Sequence, residues 1–276
     1  MLLEPFTELQ WAYQLHYYIC FRTRWRSEKF GEANREASLS RLLAEVCGNH
    51  DYHHLQHKAY PDHLRCLLSL KPDQSISVVI NKLKSNISRE FCSEFGLEPP
   101  LWATGYLARS VGRVRIQAVR QYLAHQAEHH GYSARVSPPV FRYRSDQPAA
   151  LRAAHAVFDL SYHLVFATRY RRSVFGSTLG GELVDYWLKV AGKRGFALDE
   201  ASVLPDHVHL LVRLAPKVSI EECALSLMNN SQHWMEKHHK RALMQAEIDS
   251  VWQPSAYAGT CGKVTTAMVK AFLGRG

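Results

Sequence analysis

Three sequence blocks recur in the same order along the chain, and this recurrence constrains the fold more than any other feature. Leu15-His16-Tyr17-Tyr18-Ile19-Cys20-Phe21-Arg22-Thr23-Arg24-Trp25-Arg26 returns as Leu160-Ser161-Tyr162-His163-Leu164-Val165-Phe166-Ala167-Thr168-Arg169-Tyr170-Arg171, at an offset of 145 residues. Pro61-Asp62-His63-Leu64-Arg65-Cys66-Leu67-Leu68 returns as Pro205-Asp206-His207-Val208-His209-Leu210-Leu211-Val212, at an offset of 144. Gly112-Arg113-Val114 returns as Gly262-Lys263-Val264, behind the paired tryptophans Trp102 and Trp252, at an offset of 150. One block could match by chance. Three in order at near-constant offset indicate a fused duplication, in which both copies fold as the same kind of unit.

Within each copy the first block reads as a strand. The second reads as a buried strand, because side chains alternate faces: His207 and His209 share one face, Val208 and Leu210 the other. Ser75-Ile76 and Ser219-Ile220 then open helices with apolar residues at helical spacing, Val78, Val79, Ile80, Leu83 and Ile87 in one copy and Cys223, Leu225, Leu227, Met228 and Met235 in the other. Both serines are expected as N-caps. A last helix is expected from Ile116 to about His129, and again from Thr266 onward. Each half therefore reads strand, helix, strand, helix, strand, helix. We expect units at 1–130 and 156–276, joined by a linker at 131–155 that carries Pro138-Pro139, Pro148 and several arginines.

Among 276 residues, 46% are apolar and 21% charged, which suits a folded chain rather than a disordered one. A formal net charge of +9 favours a polyanionic partner, nucleic acid first and an anionic membrane surface second. A basic surface kept for solubility is the plainer alternative. No stretch approaches the roughly 20 apolar residues of a membrane span. Residues 1–15 carry Glu4 and Glu8 and show no signal-peptide pattern. With six scattered cysteines and no C-x-x-C pair, a cytoplasmic protein with reduced thiols is expected. His50, His53, His54 and His57, with Cys47 nearby, fit no standard zinc spacing and are expected to form a polar loop.

The two halves have complementary defects. His207 and His209 can hold a divalent metal, but the matching pair in the first half is His63 and Arg65, and arginine has no lone pair to offer. In the first half's last helix, Tyr122 and Gln126 lie four apart on one face. Their counterparts at the offset of 150 are Phe272, without a hydroxyl, and Gly276, without a side chain. A site confined to one half would be broken in both. A site built across halves gives one complete set, His207, His209, Gln126 and Tyr122, and one degenerate set, His63, Arg65, Phe272 and Gly276. Taken singly, Tyr122 reads better as a packed helix aromatic and Gln126 as a solvated polar residue; only the complementarity favours the composite site.

The P-D-H-x-H-L-L-V strand, the Y-H-L-V-F-A-T-R-Y-R strand and the G-K/R-V turn before a final helix resemble the single-tyrosine HUH transposases. These are the insertion sequence 200/605 type and their REP-associated relatives. The resemblance covers both halves, nearly everything outside the linker. It implies an α+β fold of two tandem ferredoxin-like units with antiparallel sheets, arranged as a pseudo-dimer within one chain. It further implies that His207 and His209 bind the metal, that Gln126 is a third ligand and that Tyr122 is the nucleophile. Arg65, Phe272 and Gly276 depart from the family pattern, which argues against a second active site.

The chemistry so implied is cleavage and rejoining of single-stranded DNA. A divalent metal, Mg²⁺ or Mn²⁺, would polarise the scissile phosphate, and the tyrosine would form a covalent phosphotyrosine. The partner would be single-stranded or hairpin DNA rather than a membrane. Candidate phosphate contacts are Arg22, Arg24 and Arg26 in the first half, Arg169, Arg171 and Arg172 in the second, with Trp25 and Tyr170 interleaved, and Arg65 in the degenerate site. The same arginines suit an ordinary solvated strand end. The alternative function is a catalytically inactive protein that binds DNA hairpins, and only the resemblance separates DNA from RNA.

Overall fold

The computed structural model describes residues 4–112, 116–124 and 139–274, without the side chains of residues 122–124. Gln126, Gly276 and the first part of the expected linker lie outside the described residues. In chain order the first half contains strands β1 (Gln10–Gln14) and β2 (His16–Arg22), helix α1 (Ala33–Asn49), strands β3 (His53–Tyr60) and β4 (His63–Ser69), helix α2 (Ile76–Phe95), strand β5 (Tyr106–Val111) and helix α3 (Ile116–Ala124). Strand β6 (Phe141–Arg144) follows. The second half contains β7 (Ala156–Asp159), β8 (Ser161–Thr168), helix α4 (Ser177–Arg194), β9 (Phe196–Val203), β10 (His207–Leu214), helix α5 (Ile220–His238), the short α6 (Lys240–Gln245), β11 (Trp252–Cys261) and α7 (Thr266–Leu273).

Four strands of each half form the same antiparallel sheet. The orders are β3-β4-β2-β5 and β9-β10-β8-β11, so the first and third strands of each unit lie at the centre, as in a ferredoxin-like fold. Period-two alternation explains why. Val208, Leu210, Val212 and Leu214 are buried on one face of β10 and join Leu183, Trp187 and Leu227 from α4 and α5 in the core. Ile19 and Phe21 of β2 do the same with Leu39 and Leu43 of α1 and Ile80 and Leu83 of α2. The opposite face of each sheet, which carries the histidines, is left for other elements.

Each sheet is completed by a strand of the other half. β1 pairs in parallel with β11, and β7 pairs in parallel with β5. Where the halves cross, equivalent residues make equivalent bonds. Ser110 Oγ donates to Cys261 O at 2.5 Å and accepts from Ser161 N at 2.9 Å. Its counterpart Thr260 Oγ1 donates to Val111 O at 2.7 Å and accepts from His16 N at 3.0 Å. Ser77 N donates to Pro216 O, and its counterpart Glu221 N donates to Pro72 O. Gly112 shows why the third block begins with glycine: a Cβ there would lie 1.8 Å from the Thr260 carbonyl oxygen.

Three local expectations need correction. Ser219 forms a full capping box with Glu222; Ser75 also stands at the N-cap position of its helix but makes no side-chain cap bond, and Val78 at N3 cannot supply the reciprocal bond of a box. The histidine-rich stretch is no loop; His53–Tyr60 is an edge strand, with His57 bonded to His54 at 3.1 Å and to Ser40 at 2.8 Å. Within the expected linker, Phe141–Arg144 pairs with β9 and extends the second sheet. All six cysteines are unpaired and buried. Among the described residues no helix is long and apolar enough to cross a membrane.

Candidate active site

His207 and His209 project from the same face of β10, with ring centroids 5.0 Å apart. Each is anchored through Nδ1. The Asp206 carboxylate lies 2.6 Å from His207 Nδ1, and Arg171 holds that carboxylate through Nε at 2.9 Å. His209 Nδ1 lies 3.0 Å from Nε2 of His163 on β8, with the two rings stacked at 5.3 Å. Holding Nδ1 in this way fixes the ring orientation and makes Nε2 the nitrogen a metal would take.

Electrostatics support this arrangement. Burial pushes the His163 imidazole down to about 4, so it stays neutral at neutral pH and its Nε2 can accept a hydrogen bond from His209 Nδ1–H. Burial alone would raise the Asp206 carboxyl. The hydrogen bond to His207 and the charges of His207 and Arg171 outweigh it and hold Asp206 below its usual value. Among the described residues no three of His, Cys, Asp and Glu converge in a metal-holding group. Two braced imidazoles fit a divalent metal that completes its shell from elsewhere.

Helix α3 of the first half docks on this same face of the second half's sheet. Val119 packs with Leu211, which shares the histidine face of β10, and with Cys261. Arg120 pairs with the buried Glu200 of β9 at 3.0 Å. Tyr122 lies less than a turn beyond Val119 in α3. Its side chain, and Gln126 altogether, lie outside the described residues.

The degenerate site is the mirror of this. Asp62 Oδ1 lies 2.7 Å from His63 Nδ1, and Arg26 Nε lies 2.9 Å from the same carboxylate. Arg65 Nε donates to His63 Nε2 at 3.1 Å, so a guanidinium occupies the nitrogen a metal would use. Tyr60 stacks on His63 with ring centroids 4.3 Å apart, and the Arg65 guanidinium lies over the Tyr60 ring, 4.3 Å from its centroid. Helix α7 of the second half docks here: Phe272 packs with Cys20 and Leu107 of the first half, and Arg22 lies over its ring at 5.5 Å. Arg22 and Cys20 stand opposite His63 and Arg65 across the sheet.

The arginines divide into different jobs. Arg26 and Arg171 hold the carboxylates that brace His63 and His207. Arg172 pairs with Glu247 at 3.3 Å, and Arg22 donates to the Leu273 carbonyl at 3.3 Å. Arg24 and Arg169 lie against exposed aromatics, Trp25 and Tyr170. Both aromatics have positive φ, 54° and 55°, an uncommon conformation for large side chains that recurs at the same position of each half. Sequence reasoning assigned no role to Asp206, His163 or Asp62. The aspartates were legible in the recurring P-D-H; His163 carried no signal beyond its place in the first strand.

The chain is similar to known proteins along both halves. The profile of the family described as "Transposase IS200 like" matches residues 11–126 and 156–275. The ISDra2 transposase TnpA of Deinococcus radiodurans is 26% identical over 117 residues, which is 42% of this chain and 84% of that protein. The transposase for insertion sequence element IS200 of Salmonella typhimurium is 25% identical over 120 residues, 44% of this chain and 78% of its own length. A Deinococcus radiodurans crystal structure described as a candidate transposase aligns at 28% identity with a TM-score of 0.38, covering 44% of this chain and 94% of its own. A REP-associated tyrosine transposase bound to a REP hairpin aligns at 20% identity with a TM-score of 0.25, covering 46% and 67%.

Proposed function

The chain belongs to the IS200-like transposase family, matched once in each half, and from that membership we propose that it cuts and rejoins single-stranded or hairpin DNA at one composite active site per chain. The carrying observation is the crossed docking of the last helices. The helix with Tyr122 lies on the sheet that bears His207 and His209, while the helix with Phe272 lies on the sheet that bears Arg65. One chain thus imitates a dimer, with one complete and one degenerate site.

His207, His209 and, on the family resemblance, Gln126 would hold the metal, and a divalent ion so held supplies charge to polarise the scissile phosphate. The protein groups do the rest. Asp206 and His163 keep the two imidazoles in the orientation and tautomer that leave Nε2 as the donor. Arg171 holds the other oxygen of the Asp206 carboxylate and, after His207, adds to what keeps that group below its usual value. The Tyr122 phenol oxygen forms a bond to phosphorus while the bond from phosphorus to the 3′ oxygen breaks. The leaving oxygen takes a proton, and the phenol proton passes to solvent. Rejoining reverses the step, with a 3′-hydroxyl displacing the phenol, so no nucleotide triphosphate is consumed.

The test is covalent capture. Purified chain is incubated with Mn²⁺ and labelled single-stranded and hairpin oligonucleotides, beside Tyr122→Phe and His207→Ala. The expected result is a denaturant-resistant adduct in wild type that is absent from both variants. Tight binding with no adduct, unaffected by Tyr122→Phe, would favour the inactive hairpin-binding alternative.

A further inference from the structure

The first half's degenerate site borders a cavity of about 470 Å³ between β3, β4, β2 and the start of α7. Three cations from three separate segments line it: Lys58 on β3, Arg65 on β4 and Lys263 in the turn before α7. No Asp or Glu lines it, and none of the three has a carboxylate ion-pair partner among the described residues. Like charges gathered without a counter-ion repel, and a bound anion would offset that cost.

Comparison with the other half sharpens the point. Lys58 stands opposite Arg65 as Ser202 stands opposite His209, and Tyr18 holds the place of His163. So where one half has a histidine pair and a hydroxyl, suited to a metal, the other has two permanent cations. Arg65 uses Nε on His63; its terminal nitrogens have no hydrogen-bond partner among the described residues, and such a guanidinium edge matches two phosphate oxygens. Tyr60 backs both Lys58 and Arg65, at 5.2 and 4.3 Å from the ring centroid. Beside the cations lie Tyr18, Leu67 and Val264, apolar surface of a kind that a nucleobase can cover.

We infer that this cavity is a metal-independent site for one nucleotide of a single DNA strand, with Arg65, Lys58 and Lys263 on its phosphate and the base against Tyr18 and Val264. The identity of the ligand rests on the proposed function; the charge and shape of the cavity do not. The degenerate half then serves as a fixed grip on the strand that the other half cuts.

The experiment is fluorescence anisotropy of the full chain with a labelled unstructured oligonucleotide in EDTA, over a range of salt. Lys58→Ala and Lys263→Ala alter exposed side chains, so both variants should fold. Each should weaken binding, and the Lys58→Ala/Arg65→Ala/Lys263→Ala triple variant should lower the slope of log affinity against log salt by about 0.7, the value for one phosphate contact to a single strand. Arg65→Ala alone should also weaken binding. Lys189→Ala, an exposed lysine on α4, is the control for lost charge alone and should leave the slope unchanged. Deoxythymidine monophosphate should compete in wild type better than inorganic phosphate does, and should lose that advantage in the Lys58→Ala/Lys263→Ala double variant. Unchanged affinity in all three single variants, an unchanged slope in the triple variant, or equal competition by nucleotide and inorganic phosphate in wild type, would overturn the inference. Covalent capture reads Tyr122 and His207 separately, so the cavity can stand while the phosphotyrosine reading fails, and the reverse.

Discussion

His207 and His209 are ordinary imidazoles whose behaviour is set by what holds their Nδ1 atoms. His163 is the telling case, because its burial keeps it neutral and lets it accept from His209. Removing such a brace usually costs about 10–100-fold in metal affinity. We expect that loss for His163→Ala in a Mn²⁺ titration by calorimetry, and an unchanged affinity would remove His163 from the site. The same residue makes a pH prediction. Its folded value lies near 4 and its ordinary value is 6.5, so between them the unfolded chain takes up a proton that the folded chain does not. Stability is therefore lost as pH falls through that window and is no longer lost below it on account of this group. His63 and His54, also lowered chiefly by burial, act in the same direction. Melting temperatures from pH 7 to 4 should fall in wild type and fall less steeply in His163→Phe. Parallel profiles would show that His163 titrates normally.

At the scale of elements, the helices that cross between halves carry the prediction. Val119 of α3 sits against Leu211 and Cys261, and Val269 of α7 sits against Cys20 and Leu107. A charge at either seat costs a comparable desolvation penalty. Only α3 carries a tyrosine, so Val119→Asp should abolish the covalent adduct while Val269→Asp retains it, in protein shown by circular dichroism to be folded. The opposite pattern would refute a composite site. The central strands were legible from sequence because alternation marks a strand with one face buried. β3 was not, since His53–Tyr60 is polar and pairs on one side only. β9 hides differently: Asp199 and Glu200 are buried within it, Asp199 hydrogen-bonded to Arg213 and Glu200 ion-paired with Arg120, contacts invisible to local pattern. The pairing of β1 and β7 with the opposite half is a property of how the chain crosses itself. Helix docking was readable only because the losses at Arg65 and Phe272 were complementary, which no single residue reveals.

At the scale of the whole molecule, the exchanged strands and the matched bonds of Ser110 and Thr260 make the contact between halves reciprocal, as in a symmetric dimer. Duplication frees such an arrangement from symmetry in function: one side keeps the histidine pair, and the other gains Lys58 and Arg65. The proposed site then belongs to a single chain, and this can be tested by mixing. Tyr122→Phe chains lack the nucleophile but keep the histidine pair; His207→Ala chains lack part of the pair but keep the nucleophile. If α3 reaches the histidines of its own chain, mixing the two variants restores no adduct at any ratio, because each chain still pairs one good element with one broken one. If the helix can instead cross to a second chain, a mixture forms complete sites, and the adduct returns in proportion to the product of the two concentrations. We expect no restoration. The exchanged strands tie both helices to sheets of the same chain, and swapping α3 to another copy would require Val119 and Arg120 to give up Leu211 and Glu200 first.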